Sequence, residues 1–213
     1  MLSRRRILAG ITTGVIGLGG CAATQQEFSF VANPAHFDET LLSETGYTLR
    51  NREEIVQTRR VTAGGQEREV TTTNYLTTYR RIATVQQTEY ELVAAIFSSP
   101  SVSIIGQEFN PLGEMDLPEV LRQSQSQFGD AVDGNTKLGE RVDTQSIQVL
   151  GTETTLGIFS GTTSIAGREA ELRLPLTKLK DSGDFIILRG GYLMRIADTE
   201  LSRILSLFKG TEH

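Results

Sequence analysis

The sequence predicts an α+β fold, in which an antiparallel sheet of about six to seven strands is packed against helices. Two observations lead to this fold class. Most of the chain from residue 28 onward consists of segments rich in Val, Ile, Thr and aromatic residues, separated by turns that contain glycine. Helical periodicity is confined to three stretches, so strands must supply most of the core.

The first long strands are expected to form a hairpin and to lead into a buried strand. Residues 47–62 and 66–82 have high β-propensity and flank Gly64-Gly65, which suits a two-residue turn. Residues 91–98 then contain an uninterrupted apolar run. Such a run is typical of a strand that is buried on both faces, so we expect covering layers on both sides of the sheet.

Four further strands and three helices complete the prediction. The strands are expected at residues 141–150, 154–165, 169–178 and 185–194. A short helix is expected within residues 34–44, and a second after Asp116, which would cap it with Pro118 in its first turn. The last helix, residues 198–208, would be capped by Asp198 or Thr199.

The chain contains two stretches that resemble each other. Residues 63–70 and 165–172 are similar, and in both cases a hairpin leads to an apolar strand and then to a helix opened by Asp. This pattern predicts either an internal duplication, with halves at 46–130 and 139–209, or a chance similarity between hairpins. In both cases residues 28–213 are expected to form a single domain.

The first residues have the three zones of a signal peptide. Basic residues precede an uncharged stretch at 7–20, which is shorter than the roughly 20 residues that a membrane-spanning helix needs. The segment around Arg4 and Arg5 resembles a twin-arginine export signal. The segment Leu18-Gly19-Gly20-Cys21 resembles a lipobox, whose thiol accepts a lipid. We therefore predict a signal peptide at 1–20 and a lipidated cysteine with a short tether at 21–27.

Cys21 is the only cysteine of the chain, which favours a dedicated use and excludes an internal disulfide. The alternative is that Cys21 is an ordinary residue of a cleaved signal. With a lipid on Cys21, the protein is expected to be anchored to the cell membrane and to face the exterior. The membrane itself is then its first predicted partner.

The composition argues against several functional classes. Net charge is −5 overall, and the 18 basic and 26 acidic residues after position 20 differ by −8. An acidic surface repels phosphate backbones, so no nucleic-acid partner is expected. The two histidines, His36 and the terminal His213, are far apart, and a terminal residue is seldom held firmly. We therefore expect no catalytic residues, no metal, no cofactor and no enzymatic activity.

A loop rich in Gly and Pro, residues 106–118, is the candidate contact loop, because long loops in compact domains often carry function. Its contact surface would consist of Phe109, Asn110, Pro111, Leu112 and Met115. The alternative is that Phe109 and Leu112 only fill the core. The leading functional prediction is a noncatalytic interaction module that contacts envelope proteins or an exported ligand. The alternative function is a small-molecule-binding lipoprotein that delivers its ligand to a membrane transporter.

Three motifs carry a resemblance to a known family. They are Ser-Glu-Thr-Gly-Tyr at 43–47, Gln-Glu-Phe-Asn-Pro-Leu-Gly at 107–113 and Val-Leu-Gly-Thr-Glu-Thr-Thr at 149–155. With them the chain resembles, over nearly its whole length, a family of haloarchaeal, twin-arginine-exported lipoproteins defined only as a domain of unknown function. The resemblance implies a location and a source, and it supplies no active site.

Overall fold

The computed structural model describes residues 27–132, 136–165 and 168–213. The predicted signal peptide, Cys21 and the tether up to residue 26 lie outside these residues. Glu27, which the sequence prediction assigns to the tether, is the first residue of a strand. The strands are β1 (Glu27–Val31), β2 (His36–Phe37), β3 (Thr48–Ala63), β4 (Gln66–Val85), β5 (Thr88–Pro100), β6 (Ser103–Ile104), β7 (Gln107–Glu108), β8 (Lys137–Val149), β9 (Thr152–Ile165), β10 (Arg168–Asp181), β11 (Asp184–Leu193) and β12 (Thr211–Glu212). The helices are α1 (Glu39–Thr45), α2 (Leu117–Val132) and α3 (Ala197–Lys209).

Eight strands form the main sheet, in the order β1-β4-β5-β11-β10-β9-β8, with β3 also paired to β4. The strand pairs are antiparallel except that β1 runs parallel to β4. The predicted hairpin is confirmed, because β3 and β4 meet at Gly64 and Gly65, which have φ angles of 60° and 77°. Positive φ at both central positions is what a type I′ turn requires.

The prediction of six to seven antiparallel strands was too low, since the sheet is mixed and has eight strands. The physical reason is the length of β4. It has 20 residues, and β5 pairs with it only from Tyr75 to Val85. The other part of that edge is therefore open, and β1 fills it by pairing with Glu69–Thr73. We call residues 55–74 of β3 and β4, which extend beyond β5, the hairpin arm.

Both faces of the sheet are covered, as the apolar run in β5 predicts. On the first face, Ile96, Leu156 and Leu188 pack against Ile204 and Phe208 of α3. On the second face, a separate cluster lies beneath α2 and the contact loop. It contains Leu112, Val120, Leu121, Phe159, Leu174, Leu176, Phe185 and Ile187. The side chains of β11 alternate between the two clusters. Those of β5 alternate between the first cluster and the other face, where Val93 and Ala95 pack with Leu76, so both strands are central and buried.

The starts of the helices differ in how they are capped. As predicted, Asp116 caps α2: its Oδ1 accepts from Glu119 N at 2.8 Å, while Glu119 returns a bond to Asp116 N at 2.9 Å. The capping prediction for α3 was wrong. That helix begins at Ala197, directly after a 3₁₀ turn, and has no side-chain cap. Thr199 lies inside the first turn, where its hydroxyl donates to the Ile196 carbonyl at 3.3 Å.

The first helix is shorter than the segment predicted for it. Asp38 caps α1 through a bond from Leu41 N at 2.9 Å, so the helix starts at Glu39. The residues before it, His36 and Phe37, pair instead with Thr211 and Glu212 as a small second sheet. The chain start of the domain is thereby tied to the last residues of the sequence.

The internal duplication stays a prediction. Part of the second motif, residues 166–167, lies outside the described residues. The strand order is compatible with a duplication, because the β3–β4 hairpin lies on one side of the central β5–β11 pair and the β9–β10 hairpin lies on the other. However, α2 and α3 pack on opposite faces of the sheet. In the described part of the chain, no helix has the length and apolar character that crossing a bilayer requires.

Candidate functional site

A cleft of about 220 Å³ lies on the second face of the sheet, between the hairpin arm and α2. The contact loop closes one end of it. The residues that line the cleft are Gln57, Arg59, Thr72, Asn74, Phe97, Ser99, Asn110, Pro111, Leu112, Val120, Gln123, Ser124 and Ile187. The arm, the loop and α2 therefore form the walls of this cleft, and β5 and β11 contribute the remaining lining residues.

The wall formed by the hairpin arm is polar. Asn74 is only 2% exposed, and its Nδ2 donates to the Ile55 carbonyl at 3.0 Å. Because that carbonyl can only accept, the amide orientation of Asn74 is determined and Oδ1 points the other way. Asn74 Oδ1 accepts no hydrogen bond from the described residues. It is an acceptor at the edge of the cavity, to which a ligand could donate a hydrogen bond.

The opposite wall is formed by α2, which a buried arginine holds against the sheet. Arg189 of β11 is 3% exposed and donates to Ser124 Oγ at 2.7 Å and Gln125 Oε1 at 3.2 Å. Burial lowers the pKa of Arg189 to about 10, so its guanidinium remains charged at neutral pH. Val120 and Gln123 of the same helix face the cleft.

The contact loop is held by Asn110, whose side chain makes three hydrogen bonds. Its Nδ2 donates to Ser99 Oγ at 2.8 Å and to the Pro100 carbonyl at 2.7 Å. Its Oδ1 accepts from Leu112 N at 3.0 Å, which caps the short 3₁₀ turn Pro111–Gly113. Asn110 is only 6% exposed. This residue therefore positions the loop more than it offers a contact.

The other loop residues divide between core and cleft. Leu112 is buried beneath α2, and the half-buried Met115 packs against the same cluster. Phe109 is half-buried in a separate cluster with Val102 and Ile104. Pro111 is exposed at the rim of the cleft. Phe109, Leu112 and Met115 thus pack into clusters, whereas Asn110, Pro111 and Leu112 line the cleft.

A polar cluster fastens the start of the loop. Glu108 accepts backbone bonds from Val102 at 2.8 Å and Asn110 at 2.9 Å, and a bond from the Ser101 hydroxyl. Lys180 lies 3.4 Å from the same carboxylate. Partial burial tends to raise the pKa of Glu108, but these hydrogen bonds and the Lys180 charge lower it on balance. Together these bonds hold the turn between β6 and β7 against the end of β5.

The charge of the cleft differs from that of the protein. Arg59 is the charged residue among the described side chains that line it, whereas the chain as a whole has 26 acidic residues. The Arg59 guanidinium donates through Nη2 to the Phe109 carbonyl, and its Nε has no partner among the described residues. The cleft is therefore suited to a neutral or anionic occupant and not to a cation.

A second charged cluster, far from the cleft, joins α1, β4 and α3. Glu200 is fully buried and accepts from the Tyr47 hydroxyl at 3.0 Å. Its other oxygen lies 3.3 Å from Arg81 and 3.4 Å from Arg203. Burial and the adjacent Glu200 carboxylate raise the pKa of Tyr47 well above its ordinary value, so its hydroxyl stays protonated. Arg81 also donates to the Thr45 carbonyl at 3.2 Å, which completes a structural link between elements.

The expectation that His213 is poorly held was wrong. Its side chain is 1% exposed and lies between two carboxylates, with Nδ1 2.8 Å from Asp181 and Nε2 3.1 Å from Asp184. The hydrogen bond from His213 lowers the pKa of Asp181. Asp184 also accepts from Asn33 N at 2.7 Å, so this cluster joins both ends of the domain. Within the described ranges, no group of three or more His, Cys, Asp or Glu side chains is arranged to hold a metal ion.

The fold and the cleft define an α+β domain with one long mixed sheet, helices on both faces and a small, partly apolar cleft at the hairpin arm. The chain belongs to the family described as a domain of unknown function (DUF6517), whose model matches residues 34–212. A comparison with curated proteins returned no match.

Two solved structures show a distant similarity. One is the solution structure of cyanobacterial PsbP (CyanoP) from Synechocystis sp. PCC 6803, at 10% identity over 93% of this chain and 99% of that chain, with a TM-score of 0.35. The other is a protein of unknown function from Pseudomonas aeruginosa, at 12% identity over 73% of this chain and 90% of that chain, with a TM-score of 0.26. Similarities at these TM-scores carry no inference about this chain.

Proposed function

We propose that this protein is a lipid-anchored, noncatalytic binding protein on the outer face of a cell membrane, and that a small molecule binds in its cleft. The cleft beside the contact loop is the observation that carries the proposal. It combines buried polar groups with an apolar floor, which is the usual character of small-molecule sites. No Asp, Glu, His or Cys belongs to the described residues that line it, which supports binding without acid–base or nucleophilic chemistry.

The anchor is supported by the twin-arginine and lipobox motifs. Cys21 lies six residues before Glu27, where β1 begins, so the chain between them spans at most about 20 Å. A lipid on Cys21 would therefore hold the domain close to the membrane surface. The haloarchaeal origin and the twin-arginine route are part of this proposal.

The test of the anchor is Cys21→Ser in cells that express the full chain. We expect the variant to leave the membrane fraction or to remain unprocessed. Replacing both Arg4 and Arg5 with Lys should block export. Normal processing of Cys21→Ser together with detergent-dependent membrane association would refute the lipid anchor.

A noncatalytic module that contacts envelope proteins is the second candidate. Two exposed apolar residues near the contact loop favour it. Pro111 lies at the rim of the cleft, and Ile105, in the β6–β7 turn, is 72% exposed. Phe109 and Leu112 favour it less than the sequence predicts, because both pack inward.

A thermal-unfolding screen of the purified full chain, in high salt, separates the two candidates. A ligand at about 100 times its dissociation constant adds roughly 2.7 kcal/mol, which raises the melting temperature by about 5–10 °C. The screen would include metabolites, sugars, peptides and divalent cations. A shift that Gln123→Trp abolishes supports the cleft, because this side chain lines it and makes no hydrogen bond to the described residues.

Ser126→Trp is the matched control, because Ser126 is exposed on the same helix and does not line the cleft. We expect this variant to keep the ligand-induced shift. If no compound shifts the melt and crosslinking in cells captures a partner that Pro111→Asp abolishes, the interaction module replaces the small-molecule proposal.

A further inference from the structure

The size of the cleft limits its ligand. An apolar cavity of about 150 Å³ accommodates one benzene molecule, which has six carbon atoms. In proportion, the 220 Å³ of this cleft accommodates roughly nine non-hydrogen atoms. This volume fits a small metabolite.

The charge of the lining favours an anion. Arg59 belongs to a cleft wall on which the described residues place no carboxylate. Its Nη2 is fixed by the Phe109 carbonyl, so the guanidinium is oriented before a ligand arrives. A guanidinium has five N–H donors, and the described residues accept from Arg59 through that one carbonyl. A ligand carboxylate would supply the missing acceptors in a charge-assisted hydrogen bond.

Two buried side chains offer a complementary pair of polar groups. Asn74 Oδ1 is an acceptor without a partner among the described residues. Ser99 Oγ accepts from Asn110 at 2.8 Å and donates its hydrogen to no described residue. Asn74 is 2% and Ser99 is 5% exposed. A hydroxyl on the ligand satisfies both residues, since it can donate to Asn74 and accept from Ser99.

The remaining lining is apolar. Phe97, Leu112, Val120 and Ile187 contribute aromatic and branched aliphatic surface. A short branched alkyl group suits this floor in shape and polarity. A purely polar ligand would leave these side chains in contact with polar atoms and lose the hydrophobic gain.

We propose that the cleft binds a small hydroxycarboxylate with a short branched alkyl group: the carboxylate on Arg59, the hydroxyl between Asn74 and Ser99, and the alkyl group on the apolar floor. This assignment rests on the proposed binding function and names its ligand class.

The test uses three probes that differ by one group each, measured by titration calorimetry on the full chain. The probes are 2-hydroxyisovalerate, its neutral amide and the hydroxyl-free isovalerate. We expect the hydroxy acid to bind best. The amide should bind at least about tenfold more weakly, because it loses the charge-assisted bond, and isovalerate about fivefold more weakly.

Two pairs of variants locate the carboxylate. Arg59→Gln should weaken binding of the hydroxy acid at least about tenfold, whereas Arg60→Gln, its exposed neighbour on β3, should leave it unchanged. Gln123→Glu adds a negative charge to the cleft at nearly constant size and should also weaken binding. Gln148→Glu, exposed on β8, adds the same charge elsewhere and should have no effect. Because the side chain of Gln123 makes no hydrogen bond to the described residues, its variant is expected to fold even if Arg59→Gln does not.

The outcomes separate this inference from the proposed function. Equal binding of acid and amide, stronger binding by Gln123→Glu, or no binding of the three probes at millimolar concentration would overturn the carboxylate assignment. If Gln123→Trp still abolishes the shift produced by a ligand of another class, the cleft keeps its binding function. If no ligand of any class depends on Gln123, both proposals are overturned.

Discussion

The substitution Asn110→Ala measures how the contact loop is held. It removes three side-chain hydrogen bonds, of 2.8, 2.7 and 3.0 Å, from a residue that is 6% exposed. Each such bond contributes about 0.5–1.5 kcal/mol, so we expect a loss of about 2–4 kcal/mol in the free energy of unfolding. For a domain of this size that lowers the melting temperature by roughly 5–15 °C. Urea unfolding monitored by circular dichroism would measure it.

The control for this experiment is Asn51→Ala. Asn51 is exposed on β3, so its truncation should change the free energy of unfolding by less than about 0.5 kcal/mol. A loss below about 1 kcal/mol for Asn110→Ala would show that the three bonds do not determine the loop conformation. Such a result would refute the assignment of Asn110 as the residue that positions the loop.

Asn110→Asp tests the same geometry through pH. The new carboxylate would face the Pro100 carbonyl, now 2.7 Å from Nδ2, and two acceptors repel each other. When protonated, the carboxyl can donate to that carbonyl again. Its pKa should therefore be raised in the folded state, and the stability deficit relative to wild type should shrink as pH falls through that pKa. A deficit that does not depend on pH would contradict the bond to Pro100.

Three further predictions concern the framework around the cleft. Glu200→Gln should lose about 2–4 kcal/mol of stability in urea unfolding, because it removes a fully buried carboxylate that pairs with two partly exposed arginines, whereas Glu212→Gln, in an exposed pair, should lose less than about 1 kcal/mol. The pKa of Asp181 is lowered in the folded protein, so its stabilising contribution is present above about pH 4 and is lost as pH falls through this lowered pKa. Asp181→Asn should therefore flatten the decline of the unfolding free energy between about pH 5 and pH 2. Gly190→Ala should cost about 1–3 kcal/mol by thermal unfolding, because a Cβ there lies 2.8 Å from Ile204 Cδ1, and adding Ile204→Val should recover part of that loss.

The burial and the three hydrogen bonds of Asn110 determine how the contact loop should be tested. Substituting Asn110 perturbs folding together with any contact, so a lost interaction would be ambiguous. Pro111 and Gln123 are better positions, because both line the cleft and neither side chain makes a hydrogen bond to the described residues. The structure places the loop next to a cavity that the sequence did not predict. The role of the loop residues as contacts stays a prediction.

Local patterns predicted most secondary-structure elements. The Gly64-Gly65 turn, the apolar run of β5 and the cap of α2 by Asp116 depend on residues that are adjacent in the sequence. The cap of α3 was predicted wrongly for a related reason. Asp198 and Thr199 have suitable chemistry, but the 3₁₀ turn before them starts the helix earlier.

The cleft could not be predicted, because its walls are up to about 130 residues apart in the chain. Gln57 and Arg59 have no local signal that separates them from the other polar residues of β3. Asn74 follows three threonines in β4, and nothing in the sequence shows that its amide is buried. Its burial, which would mark it as a candidate site residue, is visible only in the structure. The enclosure of His213 by Asp181 and Asp184 is equally nonlocal, since it depends on the final turn of the chain meeting the β10–β11 hairpin.

The sequence by itself determined the elements of this protein: long strands, amphipathic helices, one cysteine after a basic and then uncharged segment, and a composition with only two histidines. These properties follow from side-chain periodicity and local hydrogen bonding, which act over a few residues. The tertiary structure alone decided that β4 extends beyond β5, that β1 fills the open edge, and that the arm, the loop and α2 surround a cavity to whose lining the described residues contribute no carboxylate. Pairing between distant strands and the burial of polar groups depend on the whole packed chain, because their free energies are set by contacts that no short segment contains.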